Sequence, residues 1–392
     1  MYSGGGERTA LYETLMLRKM GHSVTCFAPA IRKDICFPEL IVNASPRGIL
    51  PSTRLKIPLR DFAGLVASSV LAPLFSRNFN SFDVILSHGQ PATWMSYAIS
   101  RIASKPHVTY LHQPARFLYP RMVDLRVGWR TKTDFALLED IVRTIRPIVE
   151  MLDRISVSTS NEVVVNSHWI GEQVGRIYGL KPILCYPGVD TDKFKPLAQK
   201  HVPDINRYEI DRPYVLTTNR HYPQKGLSDL LRIYDLVRRR VDVKLVVTGE
   251  YTRYTRTLKE LAVDLDIDNN VIFTGRVTED ELVSLYQNAD AYAFTAPEED
   301  FGLGPIESMA TGTPPVVWNY AGPSETVIDG VTGFKAKPYD VKDFASKIIH
   351  ILRNPAIRMK LSRNGVKHAR LNYSWVKHVT QLEKILAKAV NN

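Results

Sequence analysis

The sequence predicts an α/β chain of two Rossmann-like domains facing across a cleft. Apolar runs without polar alternation, such as Asp290-Ala-Tyr-Ala-Phe-Thr295 and Glu162-Val-Val-Val-Asn166, read as buried parallel strands. Amphipathic helical stretches alternate with them along the chain. The length, 392 residues, suits two domains of about 100–200 residues each. We place the first domain at residues 1–195, a linker at 196–212, where the chain is polar and ends at Pro213, and the second domain at 213–373. A last helix, 374–392, crosses back to the first domain.

Composition narrows the class. With 44% hydrophobic and 23% charged residues the chain is a soluble globular protein. Cys26, Cys36 and Cys185 show no metal-like spacing and cannot all pair, which fits a reducing, cytoplasmic setting. The chain opens on Met-Tyr-Ser and three glycines rather than on a secretory signal. The uncharged stretches Phe62–Ser76 and Val84–Ser100 fall short of the ~20 apolar residues of a spanning helix. The net charge of +11 sits mostly in residues 1–200, with 25 Lys/Arg against 16 Asp/Glu. Such a half suits nucleic acid, anionic lipid, a phosphate-bearing acceptor, or simply a solvated basic face.

Taken in order, Gly4-Gly5-Gly6-Glu7-Arg8 leads into a helix over Glu7–Met20, ended by Gly21, and Ser23–Ala28 reads as a strand. Glycines ahead of a helix normally follow a strand. Only Met1-Tyr2-Ser3 precede them, so the first strand of this domain is missing: either the sequence begins at the wrong start, or the sheet is one strand short. Residues 54–78, basic at both ends and apolar between, read as a core helix or as an amphipathic segment on a membrane surface. Asp83–Gly89 and His107–His112 are strands running into loops, so His88 and His112 both stand at strand carboxyl ends; a lone His there is often structural. Ser167 is a natural N-cap for a helix through Tyr178. The pairs Asp190/Asp192 and Asp264/Asp268 read as turn and capping acids, and no required metal is expected.

The second domain opens with the strand Tyr214–Thr218 and the loop Asn219–Gly226, where Arg220 and Lys225 can converge on one anion. Farther on, Glu299-Asp-Phe-Gly-Leu-Gly-Pro-Ile-Glu307 joins a strand to a helix whose first turn holds Pro305 and Glu307. In an open α/β sheet such a loop lines the ligand crevice. Helix-start amides favour phosphate, and carboxylates accept from sugar hydroxyls. The residues alone equally allow an acidic loop and a Glu suited to the helix dipole.

That stretch, continued by Ser-Met-Ala-Thr-Gly-Thr-Pro-Pro-Val-Val, resembles the E-x7-E signature of the retaining GT-B glycosyltransferases of family 4 (glycosyl transferases group 1). Arg220-x4-Lys225-Gly226 is similar to that family's diphosphate clamp. Tyr110-Leu-His-Gln-Pro-Ala-Arg-Phe-Leu-Tyr119 resembles the segment with its active-site histidine, most nearly in mannosyl-adding members.

The resemblance implies transfer of a hexose, first choice mannose from GDP-mannose, to a glycan or lipid-linked acceptor, without cofactor or metal. Arg220 and Lys225 would hold the leaving diphosphate with the amides around Gly302–Gly304, flanked by Phe301 and Leu303. Glu307 would hold the ribose, Glu299 the transferred sugar, and Val277 the base through its backbone. His112 would contact the sugar from the first domain, and Gly4 and Gly5 would admit donor or acceptor close to the backbone. The alternatives are a UDP-glucose or UDP-N-acetylglucosamine donor, a hexosamine 2-epimerase, or a basic nucleic-acid-binding protein. The last explains the charge but neither the glutamates nor the Arg220/Lys225 loop. An anionic membrane face is a further expected partner, with peripheral attachment at the inner membrane face.

Overall fold

Runs buried on both faces must satisfy their backbones sideways, and here they do so in parallel sheets. The structure, a computed structural model, describes residues 4–28, 31, 38–48, 72–127, 136–197, 208, 210 and 213–391. The strand expected ahead of Gly4, residues 54–71 of the basic apolar segment and most of the linker lie outside them.

Two units are resolved by their internal packing: Met1–Pro120 with Arg130–Gly188 and Trp375–Asn392, and Arg121–Trp129 with Val189–Ser374. The division thus falls at Gly188/Val189 rather than at 195. Val189 already pairs with the second unit, donating its amide to the Tyr373 carbonyl at 2.7 Å. The short helix Met122–Arg126 also belongs to that unit.

In the first unit β1 (Phe27–Ala28) and β2 (Arg47–Gly48) form a small parallel pair. The expected strand over 23–28 is therefore much shorter. Arg18 explains this, because its Nε and Nη2 both donate to the Val24 carbonyl and take it from any ladder. The main sheet runs β3 (Ile85–His88), β4 (His107–Leu111), β5 (Glu162–Val165), β6 (Ile183–Leu184), all parallel. The first helix spans Gly5–Lys19, with Gly4 as its N-cap. Ser167 caps the helix His168–Tyr178 through the Ile170 amide. The final helix, Trp375–Asn391, packs here, with Trp375 stacked on Tyr12 at 4.7 Å.

The second unit holds six parallel strands in the order β12 (Phe334–Ala336), β11 (Pro315–Trp318), β10 (Ala291–Phe294), β7 (Tyr214–Thr218), β8 (Lys244–Thr248), β9 (Val271–Gly275). Leu230, Tyr234, Phe344, Ile348 and Ile351 on the flanking helices close its core over Val215, Leu245, Ala293 and Trp318. The strand order reverses between β7 and β10. A crevice opens at such a switch point, at the carboxyl ends of these two strands, and it is where doubly wound sheets bind ligands.

Candidate active site

The loops leaving β7 and β10 are the two that the sequence singled out, and the topology makes them neighbours. The first, Asn219–Gly226, ends on Gly226 at φ +65. A Cβ there would stand 2.2 Å from the Thr295 carbonyl oxygen at the start of the second loop. Only glycine allows that approach, and the Thr295 hydroxyl locks it by donating to the Gly226 carbonyl at 3.0 Å. Trp318 Nε1 donates to the Thr295 carbonyl at 2.9 Å.

So joined, the loops bring Lys225 and Glu299 together: Nζ lies 2.7 Å from Oε2, both side chains half-buried. Arg220 is exposed, its guanidinium 5.7 Å over the Tyr222 ring. The expected Arg220/Lys225 pair thus shares one loop, but only Lys225 is drawn onto the carboxylate.

The helix after the second loop begins at Leu303, two residues ahead of Pro305. Gly302, at φ +87, turns the chain and serves as N-cap without a side-chain cap. Gly304 is accordingly inside the helix and Glu307 in its second turn, where the first had been expected. Leu303 and Gly304 are half-buried, while Phe301 packs inward against Tyr373 at 6.0 Å. The Tyr286 hydroxyl donates to Glu307 Oε2 at 3.0 Å. Burial pushes the Tyr286 phenol well above its ordinary range, so it keeps that proton. Thr218, at the end of β7, touches the hydroxyls of both Tyr286 and Tyr292 at 2.7 and 2.8 Å. Val277 lies half-buried in the loop after β9, at the edge of the sheet and two strands from β7.

Sequence reasoning missed two residues here. Glu298, just before the motif, sits at φ +52, a conformation costing about 1 kcal/mol for a residue with a Cβ. Its Oε2 accepts the Val123 amide, and its carbonyl accepts Arg121 Nη1, both at 2.9 Å. Arg121 in turn forks onto Asp124. Its charge is held, against burial, by Asp124, Asp300 and Glu299. A third cation therefore stands near the loop, 177 residues from Glu298 along the chain. That separation left no local signal to read.

Asp190 accepts the amides of Asp192 and Lys193, each at 3.1 Å, closing its own turn as expected.

In the first unit His112 directly follows β4 and packs beside the start of the Gly5–Lys19 helix. A Cβ on Gly6 would lie 3.2 Å from its ring, and Gly4 and Gly5 immediately precede that contact. Asn166 Nδ2 holds the His112 carbonyl at 3.1 Å. His112 Nε2 lies 3.0 Å from His88 Nδ1, and His88 Nε2 lies 2.8 Å from Glu13 Oε2. The other Glu13 oxygen meets His378 Nε2 at 2.7 Å, and His378 Nδ1 faces the Tyr186 carbonyl at 2.7 Å.

Comparison with known proteins identifies the family of both regions of the chain. Residues 3–193 match Glycosyltransferase Family 4 and residues 201–368 match Glycosyl transferases group 1. An alpha-1,3/1,6-mannosyltransferase of Dictyostelium discoideum is 26% identical over 63% of this chain and 66% of its own. A GDP-mannose-dependent alpha-(1-6)-phosphatidylinositol monomannoside mannosyltransferase of Mycolicibacterium smegmatis is 31% identical over 51% of this chain and 55% of its own. The chain thus spans between about half and two thirds of the length of these relatives. Among solved structures, Anabaena HepE in complex with UDP-glucose superposes with a TM-score of 0.76 at 20% identity, over 99% of this chain and 97% of that one. This last likeness is one of fold.

Proposed function

The chain belongs to the GT-B glycosyltransferases, with a family 4 region followed by a group 1 region, and on that premise we propose that it moves a hexose from a nucleotide diphosphate sugar to an acceptor hydroxyl, with retention. The supporting observation is the meeting of the two switch-point loops, where Lys225 lies 2.7 Å from Glu299 beside a helix start without a side-chain cap.

Each role uses the chemistry at its position. Lys225 and Arg220 neutralise the diphosphate, and the amides at Gly302–Gly304 donate to it. Glu307, its rotamer fixed by Tyr286, accepts from the ribose. Glu299 accepts from the sugar once the phosphates draw Lys225 away. His112, beside Gly6 and near Gly4 and Gly5, is a contact for a sugar hydroxyl, and Val277 meets the base through its backbone. In the reaction the bond from the anomeric carbon to the phosphate oxygen breaks, and its electron pair leaves with the diphosphate. The acceptor oxygen bonds to that carbon on the same face, and its proton passes to the leaving phosphate oxygen. No protein base is needed, and the cations act where charge develops.

GDP-mannose is the donor of first choice, supported by the Tyr110–Tyr119 likeness and by the donor named for the mycobacterial relative. The basic balance of residues 1–200 supports a lipid-linked acceptor at an anionic membrane face. Among the described residues no helix is long and apolar enough to cross a membrane.

Melting curves with GDP-mannose, UDP-glucose and UDP-N-acetylglucosamine test the donor. GDP-mannose at 100 times its Kd adds about 2.7 kcal/mol of stability and raises Tm by several degrees. A shift with a UDP-sugar alone reassigns the donor. No shift with any nucleotide sugar contradicts the proposal.

A further inference from the structure

Glu13 is 1% exposed and lies within a helix that no motif marks, yet it reaches two histidines from strands and helices distant in sequence. Its two contacts differ in kind. His378 presents both ring nitrogens to acceptors, the Glu13 carboxylate and the Tyr186 carbonyl. Both must carry protons, so His378 is an imidazolium and forms a buried ion pair. His88, 16% exposed, instead stands between Glu13 and His112. The Glu13–His88 contact is short but off the hydrogen-bond line. A carboxylate this near still favours the proton on His88 Nε2.

We propose that Glu13 and His88 are positioning residues that fix the tautomer of His112. With the His88 proton on Nε2, its Nδ1 is a lone pair and accepts from His112 Nε2–H. His112 Nδ1 is then left without a proton, as an acceptor for a sugar hydroxyl.

Two further observations agree. Although burial alone would raise it, Glu13 is held down to about 2 by His88 and His378, so it stays a carboxylate. Burial, with His88 nearby, pushes His112 down to about 3, so it is neutral and has a tautomer to set. The titratable groups around His88 are Glu13, Tyr110 and His112, with His378 and Cys185 behind them. The direct contacts of 2.7–3.0 Å leave no space for an ion between these side chains.

This inference rests on reading His112 as a contact for a sugar hydroxyl, and its test separates the two. In the chain labelled with 15N-histidine, His112 shows protonated Nε2 and bare Nδ1 near neutral pH, without any substrate. His88→Phe keeps a ring but no relay: His112 becomes a mixture of tautomers, and kcat falls about tenfold, as for one lost hydrogen bond, with the donor KM unchanged. His88→Gln, whose amide accepts from His112 and donates to Glu13, restores the tautomer and most of the rate. A His112 protonated on Nδ1 in the wild type, or a tautomer unchanged in His88→Phe, overturns the relay. The expected tautomers in a chain that turns over no nucleotide sugar leave the relay standing and sink the transferase reading instead.

Discussion

Lys225→Ala lowers turnover by roughly 10²–10³-fold, the loss expected when one preorganised donor to a developing negative charge is removed. Folding barely changes. The Lys225–Glu299 pair is half-buried with one contact of 2.7 Å, and such partly solvated pairs contribute about 0–1 kcal/mol. The melting temperature therefore moves by a few degrees at most. Steady-state rates with the donor, alongside thermal unfolding, separate the two effects. Glu299→Gln gives the matching contrast. It frees Lys225 without removing it, so nucleoside diphosphate affinity is kept while turnover drops, because contacts that orient the sugar act in the transition state. Near wild-type turnover in a folded Lys225→Ala protein would remove the clamp assignment.

Glu13→Ala acts in the opposite way, through stability. It leaves the His378 imidazolium buried with no carboxylate, and breaking one side of a buried ion pair costs about 3–5 kcal/mol. The pH dependence follows from both partners. Glu13 is lowered from 4.5 to about 2, so its contribution is present above 4.5 and fades as pH falls toward 2. His378 is raised from 6.5 to about 10: burial opposes its charge, but the Cys185 sulfur and Glu13 hold the proton. Its contribution is present below 6.5 and is lost as pH rises toward 10. The pair is thus fully effective between 4.5 and 6.5. Urea midpoints at about pH 6 show the large loss in Glu13→Ala, and at about pH 9 a smaller one. Equal midpoints for variant and wild type at about pH 6 would mean that the pair contributes nothing.

Much of this was legible in local sequence. Unbroken apolar runs marked the strands, and the glycines flanking Lys225 and Glu307 marked loops at strand carboxyl ends. Once the strand order puts β7 beside β10, the Arg220/Lys225 loop and the Glu299–Glu307 loop must share a crevice. What was not legible depends on contacts between distant segments. Glu13 lies mid-helix and looks like any helical acid until His378, 365 residues away, is folded against it. His88 looked structural because nothing near it in sequence reveals its neighbour. Arg121 stands in no motif, and its role at Glu298 is fixed by packing alone. The strand over 23–28 failed for a related reason: the Arg18 side chain captures the Val24 carbonyl, which propensity cannot foresee. The helix start moved to Leu303 because Gly302 adopts a positive φ, a choice open to either glycine of the pair.

Hydrogen–deuterium exchange with and without GDP-mannose tests the central claim most directly, because it shows where the donor sits without relying on a substitution. The amides of residues 219–226 and 299–305 are slowed on addition of the donor, while those around β12 and the helix Val341–Arg353 are unchanged. Saturating donor that leaves both loops exchanging at their free rates, or that protects a different part of the second unit, contradicts a donor site at the β7/β10 switch point.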